Sequence, residues 1–152
     1  MLVAINIFCQ DTIKYIFNDN VKRNNDIMMD RLKIKILLID DNREITDAVT
    51  FYLDSLDIPC TVTNDGREGL RKIKECTDFD LILLDIAMPE FTGFDVILEL
   101  KKDGLLSARN IVFFTASNVN EEELLSQGAK GVIRKPISVD DLQQAIEKFR
   151  QG

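Results

Sequence analysis

Five residues of this sequence have types and spacing that could do chemistry together: Asp40, Asp41, Asp85, Thr115 and Lys135. Each stands where an apolar run stops. Asp40-Asp41 closes Ile34 to Ile39, Asp85 closes Leu81 to Leu84, Thr115 closes Ile111 to Phe114, and Lys135 follows Gly131 to Arg134 with Pro136 behind it. Three carboxylates in one place repel each other. Two unit charges about 4 Å apart cost about 4 kcal/mol at an effective dielectric of about 20. A divalent cation offsets that cost, and an all-oxygen ligand set that leaves room for waters suits Mg²⁺. A lysine and a hydroxyl opposite the metal make a pocket for an anion, of the kind that stabilises a phosphoryl group. With an acid at its centre, such a pocket describes an aspartate that accepts phosphate.

The elements between these residues must bring them together. Ile34 to Ile39 is continuously apolar except for Lys35, the pattern of a strand covered on both faces. Ile45, Ala48, Val49, Tyr52, Leu53 and Leu56 recur at helical spacing over 43–56, and Pro59 stops them. Cys60 to Thr63 reads as a second strand and Asn64-Asp65-Gly66 as a turn into a helix over 66–76. The same alternation repeats: strand Asp80 to Leu84, helix Gly93 to Lys102, strand Ile111 to Phe114, helix Glu121 to Gln127 with Gly128 as its stop, strand Gly131 to Arg134. Ser138 is an N-cap for a last helix marked by Val139, Leu142, Ala145, Ile146 and Phe149. Five strands alternating with five helices predict an open α/β parallel sheet with helices on both faces. Binding sites in such sheets lie beyond the carboxyl ends of the strands, where the five residues stand.

Composition narrows the field. The chain has 152 residues, a formal charge of −7 and no histidine. Histidine-based acid–base catalysis and histidine-ligated metals are excluded. An acidic surface makes nucleic acid and anionic membrane poor partners. Three widely spaced cysteines suggest neither a disulfide framework nor a zinc site, which fits a reducing cytoplasmic compartment. The apolar stretch Leu2 to Phe8 is far shorter than the roughly 20 residues that span a bilayer. Residues 1–30, rich in Asn, Asp and Lys after Phe17, are expected to form a poorly ordered extension with at most a weak helical stripe (Ile5, Phe8, Ile13, Ile16). One reading of Met28 and Met29 is that translation begins at one of them, just ahead of residues 31–152, the expected domain.

Residues from about 33 to 151 resemble the receiver domain of two-component response regulators. The resemblance is carried by Ile36-Leu37-Leu38-Ile39-Asp40-Asp41-Asn42, by Asp85-Ile86-Ala87-Met88-Pro89 with Gly93, by Thr115-Ala116, and by Lys135-Pro136. It implies a flavodoxin-like five-stranded sheet of order 2-1-3-4-5. It implies that Asp85 is the phosphoacceptor, taking phosphate from a histidine kinase or phosphotransfer protein. Asp41 and Asp85 would hold Mg²⁺ directly, Asp40 would act through water, and Ala87 would lend its backbone carbonyl. Thr115 and Lys135 would hold phosphoryl oxygens, and Lys135-Pro136 would be cis, the isomer available to X-Pro bonds. Such a protein is not an enzyme. With no output domain visible, it is expected to act alone, through a downstream protein partner or by passing phosphate onward.

Each residue also has a plainer reading. An Asp after a strand is often a turn or cap residue, Thr115 likewise, and Lys135 could be a surface lysine. A hydrolase or mutase using Asp85 would need an acid two residues on, where Ala87 stands. A flavin-binding relative would need a phosphate-cradling loop where Asp41-Asn42-Arg43-Glu44 stands. A phosphate-independent binding module remains the alternative, although it usually goes with loss of one of the five groups. One departure is Val132, three residues before Lys135, where receivers often carry Tyr or Phe. It implies intact phosphorylation but an outward signal that is smaller or uses other groups.

Overall fold

The computed structural model describes residues 34–150. The expectations for the amino-terminal extension lie outside the described residues. Five strands alternate with five helices: β1 (Ile36–Ile39), α1 (Arg43–Ser55), β2 (Cys60–Thr63), α2 (Gly66–Glu75), β3 (Leu81–Leu84), α3 (Gly93–Lys102), β4 (Ile111–Thr115), α4 (Glu121–Ser126), β5 (Gly131–Arg134) and α5 (Val139–Arg150). All pairings are parallel and the order is β2-β1-β3-β4-β5. This is the flavodoxin-like arrangement that the sequence implied.

Side-chain alternation along the strands divides the core into two layers. Leu37, Ile39, Ile82, Leu84, Ile111 and Phe113 face one side, against Ile73 of α2, Val96, Ile97 and Leu100 of α3, and Leu124 of α4. Ile36, Leu38, Leu81, Leu83, Val112, Phe114 and Ile133 face the other, against Val49 and Leu53 of α1 and Leu142 and Ile146 of α5. The apolar residues of β1, β3 and β4 are buried throughout. Continuous rather than alternating hydrophobicity is what a doubly covered strand requires.

Side chains set the helix starts. Asn42 accepts from the Glu44 and Ile45 amides, Asp65 from Glu68, Asn120 from Glu122, and Ser138 from Asp141. Thr92 and Asp95 form a reciprocal capping box on α3. Gly128, at φ +100°, follows α4 in the left-handed conformation that ends helices. Two differences from the sequence reading are local. The β1 ladder begins at Ile36, not Ile34, although Ile34 is buried. A 3₁₀ turn, Leu106–Ala108, links α3 to β4 where no apolar period announces it.

Candidate functional site

Strand register decides which residues meet. Ile39 of β1 lies level with Leu84 of β3, so Asp40 and Asp85 leave neighbouring strands at the same height. Leu84 is level with Phe113, and Thr115 with Arg134, so β4 and β5 reach further past the sheet than β1 and β3 do. Lys135, one residue beyond Arg134, can therefore lean back over the acids.

It does so. Lys135 Nζ lies 2.6 Å from Asp40 Oδ2 and 3.2 Å from Asp85 Oδ2, and its side chain is only 11% exposed. The surface-lysine reading is thereby removed. Asp40 and Asp85 are buried and Asp41 is exposed; one carboxylate oxygen from each lies within 4.8 Å of the others. The remaining oxygens are oriented by backbone amides, Asp40 Oδ1 by Asn42 at 2.9 Å and Asp85 Oδ1 by Ile86 at 2.8 Å. Burial pushes the Asp40 carboxyl above its ordinary range, while the Lys135 hydrogen bond and the Asn42 amide pull it down; Asp85 adds to the upward push. The two buried acids share a single ammonium, and the exposed third acid stands beside them. Such an all-oxygen cluster, reached by solvent at Asp41, fits Mg²⁺ better than a softer metal.

Helix capping does not account for the acids. The cap of α1 is Asn42, and that of α4 is Asn120 rather than Thr115. Thr115 is fully buried at the end of β4, and its Oγ1 accepts the Ser117 amide at 3.0 Å. Its backbone carbonyl accepts the Lys135 amide at 3.0 Å, which ties the two strand ends together. Ala87 is exposed, two residues past Asp85. Lys135-Pro136 is cis.

Three supporting roles escaped the sequence reading. Phe114 follows Phe113, which is level with Leu84, and its ring centroid is 4.9 Å from Lys135 Nζ, adding a cation–π contact to the two acids. Only its place at the end of an apolar strand could have signalled it. Asn64, read as a turn residue, donates from Nδ2 to the Asp40 carbonyl at 2.7 Å. Gly93 was read as a helix start and as part of the motif, but its steric reason was not. A Cβ there would lie 2.3 Å from the Asp85 carbonyl oxygen, so only glycine lets α3 start this close to the site.

Comparison with known proteins agrees with this geometry. A family model described as "Response regulator receiver domain" matches residues 36–147. The probable C4-dicarboxylate response regulator DctR of Bacillus subtilis is 29% identical over 125 residues, covering 81% of this chain and 55% of that protein. The chain thus spans about half the length of the curated relatives it matches. Among solved structures, the Francisella response regulator 1452 receiver domain is 27% identical with a TM-score of 0.70, covering 78% of this chain and 97% of that one. The Thermotoga maritima response regulator TrrA, solved in complex with Mg²⁺-BeF, is 27% identical with a TM-score of 0.66, covering 76% and 98%. Among the described residues no helix is long and apolar enough to cross a membrane.

Proposed function

The chain belongs to the response regulator receiver family, and from that premise we propose that Asp85 accepts a phosphoryl group from a histidine kinase or phosphotransfer protein. One observation carries the reading: Asp85 shares Lys135 with Asp40 inside a three-acid cluster at the strand ends. A receiver is a signalling module rather than an enzyme, so the chemistry is one group transfer followed by slow dephosphorylation, in which water takes the phosphoryl group and Asp85 is restored. An Asp85 carboxylate oxygen forms the new O–P bond as the donor's P–N bond breaks. The electron pair goes to the departing imidazole nitrogen, which takes a proton.

Asp40, Asp41 and Asp85, with the Ala87 carbonyl, are the groups that would hold Mg²⁺. The bound ion supplies charge neutralisation for the phosphoryl oxygens. The TrrA complex with Mg²⁺-BeF supports this assignment. Lys135 contributes a fixed positive charge beside Asp85, and Thr115 a hydroxyl proton. Signal then passes to a downstream protein in the cytoplasm, or the phosphate moves onward.

The test is labelling by a small phosphodonor with Mg²⁺. Wild type is expected to take up one phosphoryl group, and Asp85→Asn none. Labelling that persists in the Asn variant would sink the assignment, and an unlabelled wild type would leave the binding-only module.

A further inference from the structure

We propose that Arg134 is a positioning residue for the phosphoryl site, acting through the loop that follows Thr115. The inference rests on the reading of Asp85 as phosphoacceptor. Successive basic residues at the end of β5 do different work. Lys135 leans over the acids; Arg134, level with Thr115, reaches the opposite way. Its Nη1 donates to the Ser117 carbonyl, and its Nη2 donates to the Val119 carbonyl at 2.6 Å. One guanidinium thus holds two carbonyls of a segment that has no regular structure before α4.

That segment grips Thr115. The Ser117 amide donates to Thr115 Oγ1 at 3.0 Å, and the Val119 amide donates to Ser117 Oγ at 3.3 Å. A chain of bonds therefore runs from Arg134 through Ser117 to the threonine hydroxyl. The Ser117 bond occupies an oxygen lone pair and leaves the hydroxyl proton to be given elsewhere. Arg134 holds the Ser117–Asn118 peptide, directly after the Ala116–Ser117 peptide that makes this bond, and so limits how Ser117 can turn and where the hydroxyl proton is left to point. Val132, two residues earlier on β5, packs on the layer that contains Phe113; the strand's contribution to the loop comes from Arg134.

The experiment measures the rate of Asp85 labelling by an acyl phosphate with Mg²⁺ in wild type, Arg134→Ala, Arg134→Lys and Thr115→Ala, and in the double variant Arg134→Ala/Thr115→Ala. Arg134→Ala is expected to slow labelling about tenfold, less than the roughly hundredfold that a full misplacement of about 1 Å can cost. Arg134→Lys keeps the charge but loses the fork, and should fall with Arg134→Ala. In the Thr115→Ala background the alanine at 134 should change the rate less than twofold. A lysine variant as fast as wild type would mean a charge effect and overturn the proposal. So would equal losses in both backgrounds, the mark of general destabilisation. An unlabelled wild type would instead refute the phosphoacceptor reading.

Discussion

At the scale of single residues, the site is a problem of charge. Asp40 is fully buried, and burial outweighs the Lys135 hydrogen bond, so its folded-state carboxyl titrates above the ordinary 3.8. The sign of the consequence is fixed by linkage. A raised carboxyl contributes stability below the unfolded value and loses it as pH rises through the folded one. At pH 7, well above the unfolded value, Asp40 therefore costs the metal-free protein stability. Asp40→Asn is expected to melt higher than wild type at pH 7 without metal. It is also expected to lose most of the stabilisation that Mg²⁺ gives wild type, which is about 2.7 kcal/mol at a hundredfold excess over Kd. Thermal melts with and without Mg²⁺ check both halves. A lower metal-free melting temperature would show that the contacts with Lys135 and Asn42 outweigh desolvation.

At the scale of elements, caps and register do the positioning. The α3 helix starts at Gly93, against the Asp85 carbonyl, so its entry angle bears on the site. Thr92 Oγ1 accepts the Asp95 amide at 3.2 Å, while Asp95 Oδ2 accepts from the Thr92 amide at 2.8 Å. Thr92→Ala is expected to cost about 1 kcal/mol, read by urea denaturation at pH 7. The Thr92 hydroxyl, which also donates to Asp95 Oδ2 at 2.7 Å, and then the Thr92 amide hold the half-buried Asp95 carboxyl below its ordinary value. Its contribution is present above the unfolded value and is lost as pH falls through the folded one. The penalty of Thr92→Ala should therefore shrink in acid; a penalty independent of pH would point to lost packing instead. These elements were largely readable from the sequence. Apolar runs marked the central strands β1, β3 and β4 and helical spacing the long helices, because both faces of the sheet must be covered. The 3₁₀ turn at Leu106–Ala108 was not readable, since three residues hold no period. The caps at Asn42, Thr92 and Asn120 use ordinary polar residues that only the backbone singles out.

At the scale of the molecule, convergence on the strand ends was legible because parallel sheets bind there. Asp40, Asp85 and Lys135 meet as that rule requires. The tuning was not legible: the Phe114 ring, the Asn64 bond and the Arg134 fork depend on three-dimensional neighbours that sequence spacing does not encode. The same distinction governs how phosphorylation would be felt elsewhere. Val132 lies level with Phe113, whose ring meets Phe94 edge-on with centroids 5.7 Å apart. The fully buried Phe113 and the short Val132 side chain leave no large ring on β5 that would swing if Thr115 engaged a phosphoryl group. The loop after Thr115 is moreover bonded to β5 through Arg134. A tethered loop and a missing ring both argue for a change confined to the strand ends. Amide chemical shifts, followed on adding Mg²⁺ and beryllium fluoride, are expected to move most around residues 40–42, 85–92 and 115–119, and little along α4 and β5. Shifts on α4 and β5 as large as those at the acids would mean that Val132 does not limit the signal, and that another group transmits it.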